Sequence, residues 1–261
     1  MHFAELLAAA EPLADGYRLA IPESWHQGRT AYGGLTAALA LSAALRAGSE
    51  DLPALRSAQM SFAGPLFGPV EVRARVLRSG RNATWIAAEV IREGAAGLLA
   101  NLVFMRGLNS VLSLKDCAPP AGLIAPNEAA PFAETRHGPA FRRNHMEVRF
   151  AVPRTAEKRP ELCWWVRLKQ RACIDPMAEL LLIADALPPG VLPLLPPGTP
   201  LSSMQWQTNL LTTAPATREG WWLLRSASGY AENGCSSQTM AVWNADGEPV
   251  ASGMQSIAMF G

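Results

Sequence analysis

Thiols are scarce in this sequence and badly spaced for chemistry. Four cysteines occur in 261 residues, at Cys117, Cys163, Cys173 and Cys235, and no two form a CxxC pair. The four histidines, His2, His26, His137 and His145, stand at no metal-ligand spacing to them. That argues against a structural metal or a disulfide scaffold, and leaves reduced structural thiols. Excess charge is also missing: 23 basic residues face 22 acidic ones, a net of +1. Such a chain has no large field with which to hold nucleic acid. No apolar run approaches the roughly 20 residues of a membrane span. The opening stretch, MHFAELLAAAEPLADG, has neither a basic leader region nor a cleavage signal and reads as a short helix. These absences together lead us to expect a cytoplasmic protein without metal or cofactor.

What is present is a globular composition, 49% apolar and 17% charged, arranged twice over. GGLTAALALSAALRAG, residues 33–48, has the Ala- and Leu-rich character of a helix bounded by glycine. Four strand-like runs follow: LRSAQMSFAG, PVEVRARVLRSG, NATWIAAEVIREG and GLLANLVFMRG. In PVEVRARVL, Val70, Val72, Ala74 and Val76 alternate with Glu71, Arg73 and Arg75. The second half repeats the order. DPMAELLLIADAL, residues 175–187, is the helix, and LSSMQWQTNLLTT, GWWLLRSASGY, GCSSQTMAVWNADG and EPVASGMQSIAMFG are the strands. A further strand is expected before each helix, in YRLAIPESW and in HMEVRFAVP with LCWWVRLK. EVIREGAAGLLANLVFM lies over AVWNADGEPVASGMQSI without a gap. Shared order at this spacing indicates a duplicated module. We expect modules at 1–112 and 141–261, joined by a Pro- and Ala-rich linker at 113–140.

The second helix is apolar on nearly every side, through Met177, Leu180, Leu181, Leu182, Ile183, Ala184 and Leu187. A helix apolar all round is buried all round. One enclosed helix with about four antiparallel strands implies a sheet curled around a helix, an α+β hotdog module. Two modules joined edge to edge make a double hotdog, which removes two exposed sheet edges. Faces and edges left uncovered by one such unit leave room for association between copies. The paired tryptophans Trp164–Trp165 and Trp221–Trp222 read as packing, one of each pair facing outward or into the partner half.

Asp185 breaks the apolar pattern. It shares a face with Leu181 and Leu182, whereas Glu179 points elsewhere. A solvated residue in the last turn, a backbone cap and an Arg partner are the ordinary explanations. The first is disfavoured because the helix dipole opposes a negative charge there. A carboxylate in an apolar setting is a candidate functional group. Ser203 and Gln255 are candidates to join it, Gln255 because it stands among Ala, Met and Ile.

The run SFAGPLFGPVEVRARVLRSGRNATWIAAEVIREG, with Arg78, Gly80 and Arg81 at its turn, resembles the first module of acyl-CoA thioesterase II-like proteins. AYGG at the first helix, IADALPP at the end of the second and VASGMQ in the last strand fit the same family. The resemblance spans essentially the whole chain. It implies a double hotdog, acyl-CoA as substrate and a role in lipid metabolism. It also implies hydrolysis using an Asp, a Thr or Ser, and a Gln, which match Asp185, Ser203 and Gln255. The family often has Thr where Ser203 stands and an acidic residue where Gln205 stands, and a register one residue off would select Ser202. No GxSxG turn is present, so a covalent acyl-enzyme is not expected. The mechanism expected instead has Asp185 accept a proton from water held by Ser203 and Gln255. Backbone N–H groups at Gly33 and Gly34 would meet the oxyanion, and Arg78 and Arg81 are candidates for the CoA phosphates. The competing reading is a non-catalytic acyl-CoA- or lipid-binding protein on the same fold. A hydratase is disfavoured because no His lies on the second helix beside Asp185.

Overall fold

The computed structural model describes residues 1–136, 138–153, 155 and 157–260. The first half runs α1 (Phe3–Ala8), β1 (Glu11–Leu13), β2 (Gly16–Ile21), β3 (His26–Gln27), β4 (Thr30–Ala31), α2 (Gly33–Ala47), β5 (Leu55–Phe62), β6 (Gly68–Ser79), β7 (Ala83–Arg92) and β8 (Ala95–Met105). The second runs α3 (Ala140–His145), β9 (Met146–Phe150), β10 (Glu161–Leu168), α4 (Pro176–Ala184), β11 (Leu201–Leu210), β12 (Trp222–Glu232), β13 (Cys235–Asn244) and β14 (Pro249–Met259). Twelve strands form one antiparallel sheet in the order β1-β2-β6-β7-β8-β5-β11-β14-β13-β12-β10-β9, with β3 and β4 as a separate hairpin. The halves meet at β5 and β11, from Ser61 opposite Gln205 to Ser57 opposite Asn209. This is the double hotdog, with α2 and α4 enclosed by the two halves of the sheet.

Burial explains the enclosure. Leu35, Leu39 and Leu41 of α2 and Leu180, Leu181, Leu182 and Ile183 of α4 have no exposed surface. Each such side chain contributes about 1.5–3 kcal/mol by leaving water. The polar exception on α4, Glu179, is buried but satisfied: Trp222 Nε1 donates to it at 3.0 Å and Arg171 Nε at 2.9 Å. Asp175 caps the helix by accepting from the Met177 and Ala178 N–H groups.

Three expectations need correction. The α4 helix is shorter than 175–187, so Asp185 is its C-terminal cap and not an interior residue. The alternation in β6 stops early. Val70, Val72 and Ala74 are buried, but Val76 is 42% exposed, beside a bulge between Val76 and Arg78. The tryptophan pairs do alternate, yet no member is left in solvent. Trp164 and Trp222 face the helix, while Trp165 and Trp221 pack on the other side of the sheet under Leu123, Ile124 and Ala129. Trp165 Nε1 donates to Ile124 O at 2.8 Å and Trp243 Nε1 to Cys117 O at 2.7 Å, which fastens the connecting segment. The same segment borders β9: Phe132 N–H donates to Val148 O and Ala130 O accepts from Phe150 N–H.

Candidate active site

The end of α4 and the start of α2 meet across the junction of the halves. Tyr32, just before α2, is fully buried, stacks on Phe141 at 3.9 Å and donates its hydroxyl to Leu182 O at 2.7 Å. That bond ties the last turn of α4 to the first turn of α2 and sets Asp185 against Gly33. Closeness demands glycine at 33: a β-carbon there would lie 2.6 Å from Asp185 Oδ2.

Asp185 is 9% exposed. Gln255 Nε2 donates to its Oδ1 at 3.0 Å and to Ser203 Oγ at 3.0 Å. Burial pushes the Asp185 carboxyl up to about 7, partly offset by the Gln255 amide and the Gly34 backbone N–H, which favour the ionised form. Near neutral pH this carboxyl is therefore divided between its two protonation states.

Ser203 reaches the site because β11 bulges. Ser203 sits opposite Ile257 and Gln205 opposite Ser256, so Met204 has no opposite number. Counting back from inward-facing Trp206 by strict alternation would turn Met204 and Ser202 inward. The extra residue turns Ser203 inward instead and leaves Ser202 exposed.

A cleft of about 320 Å³ opens on this group. Gln27, Thr30, Gly33, Thr36, Phe62 and Leu66 line it from the first half, and Asp185, Leu201, Ser202 and Ser203 from the second. Gly33 is in the wall as expected, but Gly34 is not: its N–H turns toward Asp185 and is not offered to the cleft. Arg78 and Arg81 are not brought to the site. Their turn is exposed, with the Arg78 guanidinium 5.5 Å from the centre of the Trp85 ring. It lies beyond the end of β8 where Met105 pairs with Ala83, whereas the cleft lies at the end where Leu98 pairs with Phe62. Seven residues of strand separate the two, about 23 Å. The exposed cation adjoining the cleft in sequence is Arg29, between Gln27 and Thr30.

Gln238 belongs to the site and is absent from the sequence reading. It is 1% exposed, stands opposite Gln255 in the ladder and donates to Gln255 Oε1 at 2.7 Å. Its signal was available: Ser236, Gln238, Met240 and Val242 share one face of β13, and a Gln on an inward face is conspicuous. Among the described residues no group of three or more His, Cys, Asp or Glu is placed to hold a metal ion. No helix among them is long and apolar enough to cross a membrane.

Residues 21–107 match the model of the acyl-CoA thioesterase N-terminal domain, and residues 115–259 that of the acyl-CoA thioesterase C-terminal domain. Solved structures agree in fold. A hotdog-fold protein of unknown function from Alicyclobacillus acidocaldarius is 19% identical with a TM-score of 0.82, covering 100% of this chain and 99% of its own. The acyl-CoA thioesterase II TesB2 of Mycobacterium marinum is 18% identical with a TM-score of 0.76, covering 99% and 98%. The tesB protein of Mycobacterium avium subs paratuberculosis is 16% identical with a TM-score of 0.79, covering 99% of each chain. No curated protein sequence is similar enough to count as a match.

Proposed function

The chain belongs to the acyl-CoA thioesterase family, and from that premise we propose that it hydrolyses an acyl-CoA thioester with water activated by Asp185. The observation that carries this reading is that Asp185 and Ser203 line one cleft and are bridged from behind by the Gln255 amide. Ionised Asp185 accepts a proton from a water as the water oxygen attacks the thioester carbonyl carbon. Gln255 gives both of its amide hydrogens away, one to Asp185 and one to Ser203. The Ser203 hydroxyl hydrogen is thereby free to point at the water or at the carbonyl oxygen. Collapse of the tetrahedral intermediate breaks the carbon–sulfur bond. The departing thiolate, whose thiol has an ordinary pKa of about 8.5, takes the proton back from Asp185. The products are the free acid and CoA thiol, and no bond to the enzyme forms at any stage.

Gly33, bare of a side chain and packed against the Asp185 carboxylate, lines the cleft beside the reacting centre. The CoA phosphates fall to Arg29, on the rim of the β3–β4 hairpin, in preference to Arg78 and Arg81. The test is CoA release from a panel of acyl-CoAs, followed with a thiol reagent, by the native protein and by Asp185→Asn. Loss of a general base lowers the rate about 10²–10⁴-fold. Equal release by both proteins rejects the mechanism. Tight binding of acyl-CoA with no release from any of them would favour a binding protein instead.

A further inference from the structure

We propose that Gln238 is a positioning residue that fixes which end of the Gln255 amide faces Asp185, and so holds Asp185 as a hydrogen-bond-accepting carboxylate. The proposal rests on the reading of Asp185 as the base, and adds the device that keeps it one. A side-chain amide has an accepting end and a donating end of nearly the same shape, so its partners decide its orientation. Here the decision begins at the backbone. The Gly190 N–H can only donate, and it meets Gln238 Oε1 at 2.8 Å. The Ser226 hydroxyl donates to the same oxygen at 3.1 Å. Gln238 must then present its NH₂ to Gln255, whose carbonyl oxygen accepts at 2.7 Å. With its oxygen so engaged, Gln255 has only its NH₂ left, and it donates to Asp185 and Ser203.

The chain cannot be reversed cheaply. Gln238, Ser226 and Gln255 are 1%, 0% and 4% exposed, so water is not at hand to replace a lost partner. Turning Gln255 over would set its NH₂ against that of Gln238 and its oxygen against the carboxylate. Each buried bond left unmade costs about 1–3 kcal/mol. The starting point is itself fixed: a β-carbon on Gly190 would lie 2.9 Å from Pro160 O, Ser226 O and Ser228 N. Gly190 follows Asp185 by five residues, so the segment that carries the carboxylate also anchors the amide that serves it.

Few other groups can compete. Asp185 is faced by Tyr32, Gly33 and Gly34 from α2 and its entry, by Ser203 from β11 and by Gln255 from β14. Tyr32 is the one titratable group among them, and burial together with the Asp185 charge holds its phenol far above the usual range. It therefore stays neutral, and the orientation of Gln255 is the adjustable influence on the protonation of Asp185.

The experiment is a ¹³C NMR titration of Asp-labelled protein, native and Gln238→Met, with the Asp185 signal assigned from Asp185→Asn. Methionine fills the space but cannot donate. Gln255 is then free to turn and accept from protonated Asp185, so the midpoint rises by about one pH unit. CoA release falls about 5-fold at pH 7 and recovers at pH 9. A purely structural role would lower the rate at every pH and leave the midpoint alone. An unmoved midpoint in the folded methionine variant overturns the proposal. The native protein supplies a measurement that needs no variant to fold: the ¹⁵N-labelled Gln255 NH₂ should titrate with the Asp185 midpoint, and an NH₂ signal indifferent to it also overturns the proposal. Neither spectrum uses turnover. If Asp185→Asn releases CoA as the native protein does, the catalytic reading falls while these titrations still judge Gln238.

Discussion

Gly33→Ala sets two effects of opposite sign against each other. Gly33 opens α2 and is not in the left-handed region, so the backbone accepts alanine. Replacing glycine there gains at most about 1 kcal/mol, less at a helix end than in the middle. Against this, the new methyl would lie 2.6 Å from Asp185 Oδ2 and 3.0 and 3.1 Å from two ring carbons of Phe62. An ordinary carbon–oxygen contact is about 0.6–0.8 Å longer than the first of these. Phe62 is only half-buried at the cleft and can swing away. Asp185 cannot move without stretching its 3.0 Å bond to Gln255. Overpacking of this kind costs about 1–3 kcal/mol, so the clash outweighs the helix gain by about 1–2 kcal/mol. At about 2–4 °C per kcal/mol for a chain of this size, the melting temperature should fall by about 2–8 °C. The rate should suffer more, because a base displaced by most of an ångström loses about 10²-fold in kcat. Calorimetry and a thiol-release assay on the same preparation measure both. An alanine variant with kcat within twofold of native and an unchanged or higher melting temperature would show that Asp185 and Gly33 are not packed as described.

Asp185→Asn should stabilise the fold in a pH-dependent way. The Asp185 carboxyl is raised from 3.8 unfolded to about 7 folded. Its protonated form therefore favours the fold below about pH 4, and that contribution is lost as pH rises toward 7. The asparagine variant should match native stability near pH 4 and exceed it above pH 7, by up to about 4 kcal/mol. Urea melts across that range check the sign, and a constant difference would contradict the burial. Ser203→Ala should lower kcat by about 10-fold, through loss of a hydroxyl hydrogen bond at the reacting centre. Ser202→Ala, on the exposed side of the bulge, should change it less than twofold, and reversed effects would place the bulge elsewhere.

The sequence is informative where burial is periodic. A helix with no polar side admits only an enclosed position, so the double hotdog could be read from α4 and from the repeated order of strands. Asp185 and Gln255 stood out because each is polar at an inward position. Ser203 could not be separated from Ser202, since one unpaired residue at Met204 inverts the facing of everything before it and leaves no mark on composition. Gln238 was legible by the same alternation, since Ser236, Gln238, Met240 and Val242 share the inward face of β13. Arg78 and Arg81 lie apart from the cleft for a different reason. Turn residues report on the turn itself, while the end of the sheet that bears the cleft is set by how β5 and β8 pair with their neighbours. Coverage of Trp165 and Trp221 by Leu123, Ile124 and Ala129, far earlier in the chain, is likewise non-local.

The division of the catalytic parts between α2 and β14 has a consequence for biosynthesis. A ribosome delivers Gly33 early and Gln255 only after every other strand described here. On the proposed mechanism the site is therefore complete only once β14 lies between β11 and β13.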